Sequence, residues 1–357
     1  MSFALVSEGA TRVVAWGDMT YEVEIAPAPS AKGALRIAAG DFHSLAMNRN
    51  GSVMAWGDDR FNQTSVPAAL LSAPAASIAA GNVHNLALMQ DSTVVAWGPQ
   101  AGQTGDYGQC AVPAGLVRVM AVAAGAAHSL ALRSDGTVAA WGLNWYGQCS
   151  VPAGLTGVVA LAGGMYHSLA LMNNGTVVAW GDNRHGQSTV PPGLSNIVAI
   201  AAGGYHSLAL RNNGTVASWG SYGLMEVGVP DGLTNVAAIA TGDYHSLALS
   251  ADGALVAWGL NSAGQCNIPT GLNHVAAIAA RGNHSMVLIE DMPTLSIGVA
   301  GGAVVLSWPS LPAGFSLQQT FDLNSGNWFS VTNAPTVSNG QNTVNLPAVA
   351  SMFYRLR

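Results

Sequence analysis

The chain has 357 residues, half of them hydrophobic, only 8% of them charged, with a formal net charge of −6. Charged residues usually make up about a quarter of a soluble protein, and arginines scattered along the chain beside a single lysine, Lys32, form no basic patch, which disfavours nucleic acid and anionic membrane surfaces as partners. Gly and Asn break the apolar stretches well short of the ~18 residues that a spanning helix needs, so no membrane insertion is expected.

The start of the chain, Met1 to Arg12, lacks the basic flank and apolar run of a secretory signal. Val13–Trp16 and Val23–Ala26 then read as a third and a fourth strand with no first and second before them. Beyond them the sequence repeats. Trp-Gly recurs at Trp16, Trp56, Trp97, Trp141, Trp180, Trp219 and Trp258, at spacings of 40, 41, 44, 39, 39 and 39. From His43 to His245 a histidine precedes each tryptophan by 13 residues, and a proline follows most tryptophans by 11. In one unit, Ile197 to Pro230, the apolar run 197–201 is followed by Gly203-Gly204, the run 206–210, the two-residue hairpin signal Asn213-Gly214, the run 215–219 and a short fourth strand before Pro230. Four short strands in about 39 residues predict one propeller blade. Within a strand such as His206–Leu210 the large side chains fall on one face and Ser and Ala on the other, so large faces nest on small ones between blades.

The third repeat carries a five-residue insertion around Thr104–Tyr107. The repeats end with an unmatched first and second strand, 275–279 and 284–288, which the strands at the N-terminus complete. The expectation is an all-β, monomeric chain: a seven-bladed β-propeller over 1–291, closed by a blade shared between both ends of the repeat region. A small β-sandwich-like domain over 292–357 follows, with strands near 295–299, 304–308, 315–320, 328–331, 343–346 and 353–356.

The repeated residues are poor candidates for a single site. The seven histidines share strand faces with large apolar residues on different blades, so they read as histidines held by backbone hydrogen bonds and not as a metal array. Cys110, Cys149 and Cys266 follow Gly-Gln at one repeat position, too far apart for disulfides, and read as half-buried small side chains. Function is expected where the repeats differ. Immediately before the histidines stand Phe42, Val83, Ala127, Tyr166, Tyr205, Tyr244 and Asn283; Phe42 and the three tyrosines form an aromatic arc, a composition suited to binding hot spots. Asp41 and Asp243 lie one residue earlier, and Arg281 replaces the glycine that six copies carry, placed to face the mouth and meet Asp243 or an acidic partner group. Trp145-Tyr146, Arg184-His185 and the irregular stretch 221–226 follow third strands and are assigned to the opposite rim. No Gly-x-Ser-x-Gly elbow and no zinc spacing is present, so no catalytic residue, cofactor or metal is assigned.

The pattern A-A-G-x-x-H-S-L-A-L, then N-G-T-V-x-A-W-G, then G-Q-x-x-V-P, resembles the regulator of chromosome condensation repeat over roughly residues 11–290. The unit 179–191 is similar to a bacterial subgroup that includes a secreted propeller inhibitor of class A β-lactamases. That resemblance implies a protein partner gripped by aromatic residues at the mouth. The C-terminal segment resembles a reduced fibronectin type III or immunoglobulin-like sandwich, with Trp308 placed like its core tryptophan and Tyr354 like its late-strand tyrosine. Both resemblances and the low lysine content point to an extracellular or periplasmic setting. A glycan or small ligand in the mouth, or a hydrolase or lyase built there, are the alternative readings.

Overall fold

A computed structural model of the chain describes residues 11–18, 33–221, 228–290, 295–300, 303–309, 317–320, 327, 329–338, 341–347 and 353–356. The chain divides into two units, one spanning Arg12–Ile289 and the other containing Glu290–Arg357.

Among its described residues the larger unit is all β apart from one short helix, Ala68–Ser72, which buries Leu70. Among the described residues it contains seven three-stranded sheets. Sheet 1 holds Ala34–Ala39, His43–Asn48 and Val53–Gly57, and sheets 2 to 6 repeat that order within 75–97, 119–142, 158–181, 197–219 and 236–259. Sheet 7 joins Val275–Arg281 and His284–Glu290 to Thr11–Gly17 from the other end of the chain. The first strands contact one another in chain order, and the first strand of sheet 7 returns to that of sheet 1, so the circuit closes. The expected second partner, Val23–Ala26, lies outside the described residues.

Middle strands such as His167–Met172 are buried on both faces because each sheet is flanked by two others. The packing is the expected large-on-small nesting: Leu169 and Leu171 of sheet 4 meet Ala209 and Trp219 of sheet 5, and Leu208 and Leu210 of sheet 5 meet Ala248 and Trp258 of sheet 6. Each fully buried leucine contributes roughly 1.5–3 kcal/mol. Every first strand also carries a bulge after its first pair, which turns the second residue (Val159 and Val198 among them) out to solvent.

Two local expectations are corrected. The Asn-Gly hairpins are three-residue loops, not two: Arg211 N–H bonds to Thr215 O, and Asn213 Oδ1 accepts from Thr215 N–H, leaving only Gly214 in the left-handed region at φ +78°. The fourth strand does not form a ladder among the described residues. A fully buried glutamine bends the chain there. Gln148 Oε1 accepts from Tyr146 N–H at 2.9 Å, and its carbonyl is taken by the indole of Trp180 in the next sheet at 2.8 Å. Gln63, Gln109, Gln187 and Gln265 repeat both contacts, the last through Trp16, so the glutamine stitches five of the sheets to their successors instead of extending its own.

Among its described residues the smaller unit has two sheets. One orders Ser296–Ala300, Ala303–Pro309, Gln341–Pro347 and Thr336–Ser338; the other orders Phe329–Ser330, Leu317–Thr320 and Phe353–Leu356. Leu306, Trp308, Leu317, Val344 and Leu346 form their shared core, with Tyr354 packed against it.

Candidate functional site

The geometry of the sheets decides which loops meet. The residue before each histidine opens the second strand, and the residue after each Trp-Gly closes the third; in an antiparallel pair these ends coincide. Asp182 N–H bonds to Tyr166 O at 2.8 Å, and Asp58 to Phe42, Leu143 to Ala127 and Leu260 to Tyr244 do the same. The assignment of Trp145-Tyr146 and Arg184-His185 to the opposite rim is therefore wrong: they flank the tyrosine arc.

Together they form an aromatic band. Tyr205 and Tyr244 lie 5.7 Å apart between ring centroids, His185 stands edge-on to Tyr205 at 5.0 Å, and Tyr146 packs on Tyr166 at 5.0 Å. Burial holds the Tyr166 hydroxyl above its usual value of 10, with Tyr205 and Tyr146 adding to the effect, so the two pairs are electrostatic neighbours. Tyr107, carried by the insertion, meets Trp145 edge-on at 5.3 Å, and Trp145 is 70% exposed. These two rings stand on the loops outside the low stretch left by Val83 and Ala127. The Arg184 guanidinium sits 4.3 Å over the Tyr146 ring and is clamped by both oxygens of Asp182. Phe42 is half-buried in the turn before the second strand of sheet 1.

Beneath the rim the seven histidines form a circuit. His84 Nε2 bonds to Ser129 Oγ at 3.1 Å, and His128, His167, His206 and His245 reach Ser168, Ser207, Ser246 and Ser285 at 2.8–3.0 Å. His43 uses Asn85 Oδ1 at 2.6 Å, and His284 reaches Ser44 at 3.4 Å, completing the circle. The partner is thus the next sheet's side chain, not backbone. Ser129, Ser168, Ser207 and Ser285 spend their protons on glutamine carbonyls, so they accept and the histidines donate from Nε2–H. All seven Nδ1 atoms are buried without a partner, and burial drives every ring's pKa down, to about 4 at His43, His206 and His284 and about 3 at His84, His167 and His245. The motif glycine makes room: a Cβ on Gly164 would stand 2.3 Å from His167 Cε1.

Arg281, expected to face the mouth and meet Asp243 or an acidic partner group, is turned inward. It is 6% exposed and crosses the axis. Its guanidinium donates to Asn82 Oδ1 at 3.0 Å, Gly163 O at 3.2 Å and Ala124 O at 3.4 Å, and lies 3.5 Å from Asp41. The inner strands leave one backbone edge facing the axis, and Arg281 takes two of those carbonyls. It borders a channel of about 270 Å³ lined largely by alanines. Asp243 is buried and held above the usual carboxylate range by desolvation, which the Arg281 charge only partly offsets. Asn283 accepts from Gln265 Nε2 at 3.5 Å. Asp41, Asp243 and Arg281 therefore brace the mouth from within, while the exposed surface is the aromatic band.

The cysteines are free and half-buried, with thiols pushed up to about 11 or 12 by burial. Cys149 and Cys266 donate to a backbone carbonyl six residues back, as Ser188 does at the same position. The insertion also walls a groove of about 680 Å³ with Asn62, Pro67, Trp97, Pro99 and Cys110. Among the described residues no group of three His, Cys, Asp or Glu is placed to hold a metal ion, and no helix is long and apolar enough to cross a membrane. The irregular loop 222–226 lies outside the described residues.

Five segments, 35–63, 120–148, 158–187, 197–221 and 236–265, match the regulator of chromosome condensation (RCC1) repeat. No curated protein sequence matches the chain. Among solved structures, a chain of the complex of Kap60 with yeast RCC1 (Prp20) superposes with a TM-score of 0.69 at 20% identity, covering 80% of this chain and 90% of that one. Prp20p from Saccharomyces cerevisiae, in a study of its binding to Gsp1p and histones, gives 0.66 at 20% identity over 82% and 94%. Human WBSCR16 gives 0.61 at 21% identity over 79% and 100%. At these identities the likeness is one of fold. The chain is an all-β protein whose propeller is built from RCC1-type repeats.

Proposed function

We propose that the chain is a seven-bladed, non-catalytic recognition propeller that grips a protein partner through the aromatic band on the histidine rim. The observation that carries this reading is the contrast between the band's rings and its polar groups. The rings of Tyr107, Trp145 and Tyr146 are exposed, while the polar side chains between them are committed within their own loops. Asn144 binds Cys149 N–H and Ser150, Asn183 binds Ser188 N–H and Thr189, and Asp182 binds Arg184 and Gln187. Such a surface offers large, rigid rings with little free hydrogen-bonding capacity. That suits a desolvated protein hot spot better than a glycan, which needs polar groups beside its stacking faces. The likeness to Prp20p is one of fold and does not by itself license a partner.

Within this reading the inhibitor-like role is the specific proposal, with a class A β-lactamase as its defined probe and an extracellular or periplasmic setting. Immobilised chain is challenged with purified class A β-lactamase and with lysates, beside a variant carrying Tyr166→Ala, Tyr205→Ala and Tyr244→Ala whose circular dichroism is unchanged. Retention by the wild type and loss in the variant support the aromatic site. Equal retention by both assigns binding to another surface.

A further inference from the structure

The charges of the propeller are segregated by rim. On the histidine rim, Asp18, Asp58 and Asp182 follow Trp-Gly, Asp59 and Asp106 lie in the loops beyond, and Asp41 and Asp243 lie in the turns before the histidines. Only Arg60, Arg184 and Arg281 oppose them among the described residues, a formal balance of −4. Among the described residues the hairpin rim carries Arg12, Arg36, Arg49, Arg118, Arg133 and Arg211 against Asp91, Asp135, Asp231, Asp252 and Glu290, a balance of +1. Hydrogen bonds within the loops satisfy Asp59 and Asp106 without cancelling their charge. The aromatic band itself also favours cations, since the face of a tyrosine or tryptophan ring is electronegative. The molecule already shows the arrangement once, with the Arg184 guanidinium held between the Asp182 carboxylate and the Tyr146 face.

Resting on the aromatic-rim reading, we propose that the partner's contact surface is basic, a protein segment that sets arginine or lysine side chains on the rings of the band under the field of the rim carboxylates. The hairpin rim, of opposite sign, does not compete for it. A field of this kind raises the association rate and selects partners by sign, and it is screened over about 8 Å at physiological salt.

Three synthetic twelve-residue peptides test this, each alternating alanine with tyrosine and one variable residue: arginine, glutamine or glutamate. Each is titrated into the full chain at 50 mM and 500 mM salt, followed by calorimetry and by intrinsic tryptophan emission. The arginine peptide is expected to bind about tenfold more tightly than the glutamine peptide at low salt, and the glutamate peptide more weakly still, with the differences shrinking to within about threefold at high salt. The triple tyrosine-to-alanine variant loses the arginine peptide. Equal affinities for the three peptides, all lost in the variant, overturn the basic-partner inference and leave the aromatic rim standing. Binding that the variant retains undermines the aromatic rim itself. No binding of the arginine peptide at millimolar concentration overturns the inference.

Discussion

The buried histidine circuit makes the propeller acid-labile at a pH where most folds are at their most stable. Each ring is neutral in the folded chain, with a pKa lowered by burial from 6.5 to between about 3 and 4 where a value is resolved. The unfolded chain therefore binds more protons below pH 6.5. Stability is fully present above about pH 7.5, falls as pH drops through 6.5, and stops falling only near the folded values. At pH 5 the cost is about 2 kcal/mol for each histidine, and on the order of 10 kcal/mol for the circuit, as large as the whole stability of many domains. Asp59, Asp91, Asp135 and Asp182 sit below their usual 3.8, so their contribution is lost only in stronger acid. Asp243, raised by burial, acts in the opposite direction, as a single group. The assay is equilibrium urea unfolding by circular dichroism at pH 7.5, 6.5, 5.5 and 5.0. The reasoning predicts a steepening loss of up to about 1.4 kcal/mol per pH unit per histidine. His206→Gln, whose amide keeps a polar partner for Ser246 but does not titrate, lowers that slope by one proton. Stability flat between pH 7.5 and 5 would refute the account of the circuit.

Four further outcomes are expected. Arg281→Gly, which restores the glycine of the other copies, removes the donors to Asn82, Gly163 and Ala124 and leaves two acidic groups without their cation; it should cost about 3 kcal/mol in chemical denaturation. Gly164→Ala drives a methyl into His167 and Gly203 O, and should destabilise by about 2 kcal/mol or more as a lowered melting temperature. Cys149→Ser keeps the donor that Ser188 provides at the same position, so its stability should stay within about 0.5 kcal/mol of wild type. Gln148→Ala leaves Tyr146 N–H without its acceptor and frees the chain that presents its carbonyl to Trp180 and Ser168; a loss of about 1–3 kcal/mol is expected on unfolding.

The repeat made the sheets legible because the Trp-Gly, His-Ser-Leu-Ala-Leu and Gly signals hold one register, and strand parity then sets which side chains are buried. The fourth strand misled because Val-Pro after a Gly-Gln resembles a strand end. Its glutamine, buried at the same place in five repeats, satisfies backbone groups that a ladder would have used. The histidine partners were within reach: Ser follows every repeat histidine but His84, where Asn85 stands, and Asn85 is the residue that His43 holds. The rim was likewise derivable, since the start of one strand and the end of its antiparallel neighbour share an edge; with that step Trp145, Tyr146 and Arg184 join the arc. Arg281 was visible as the exception to a glycine, but its reach to carbonyls 118 and 157 residues away is set by closure of the ring and has no local signal.

The central claim is that the aromatic rim is the working face. Its most direct test is the affinity for a captured partner, or for a class A β-lactamase where it binds, measured by calorimetry for the wild type and for the Tyr166, Tyr205 and Tyr244 alanine variant. A loss of a hundredfold or more at unchanged melting temperature is the predicted result, in keeping with three ring truncations at a hot spot of about 1–2 kcal/mol or more each. Affinities within twofold would contradict the claim and move the search to the hairpin rim.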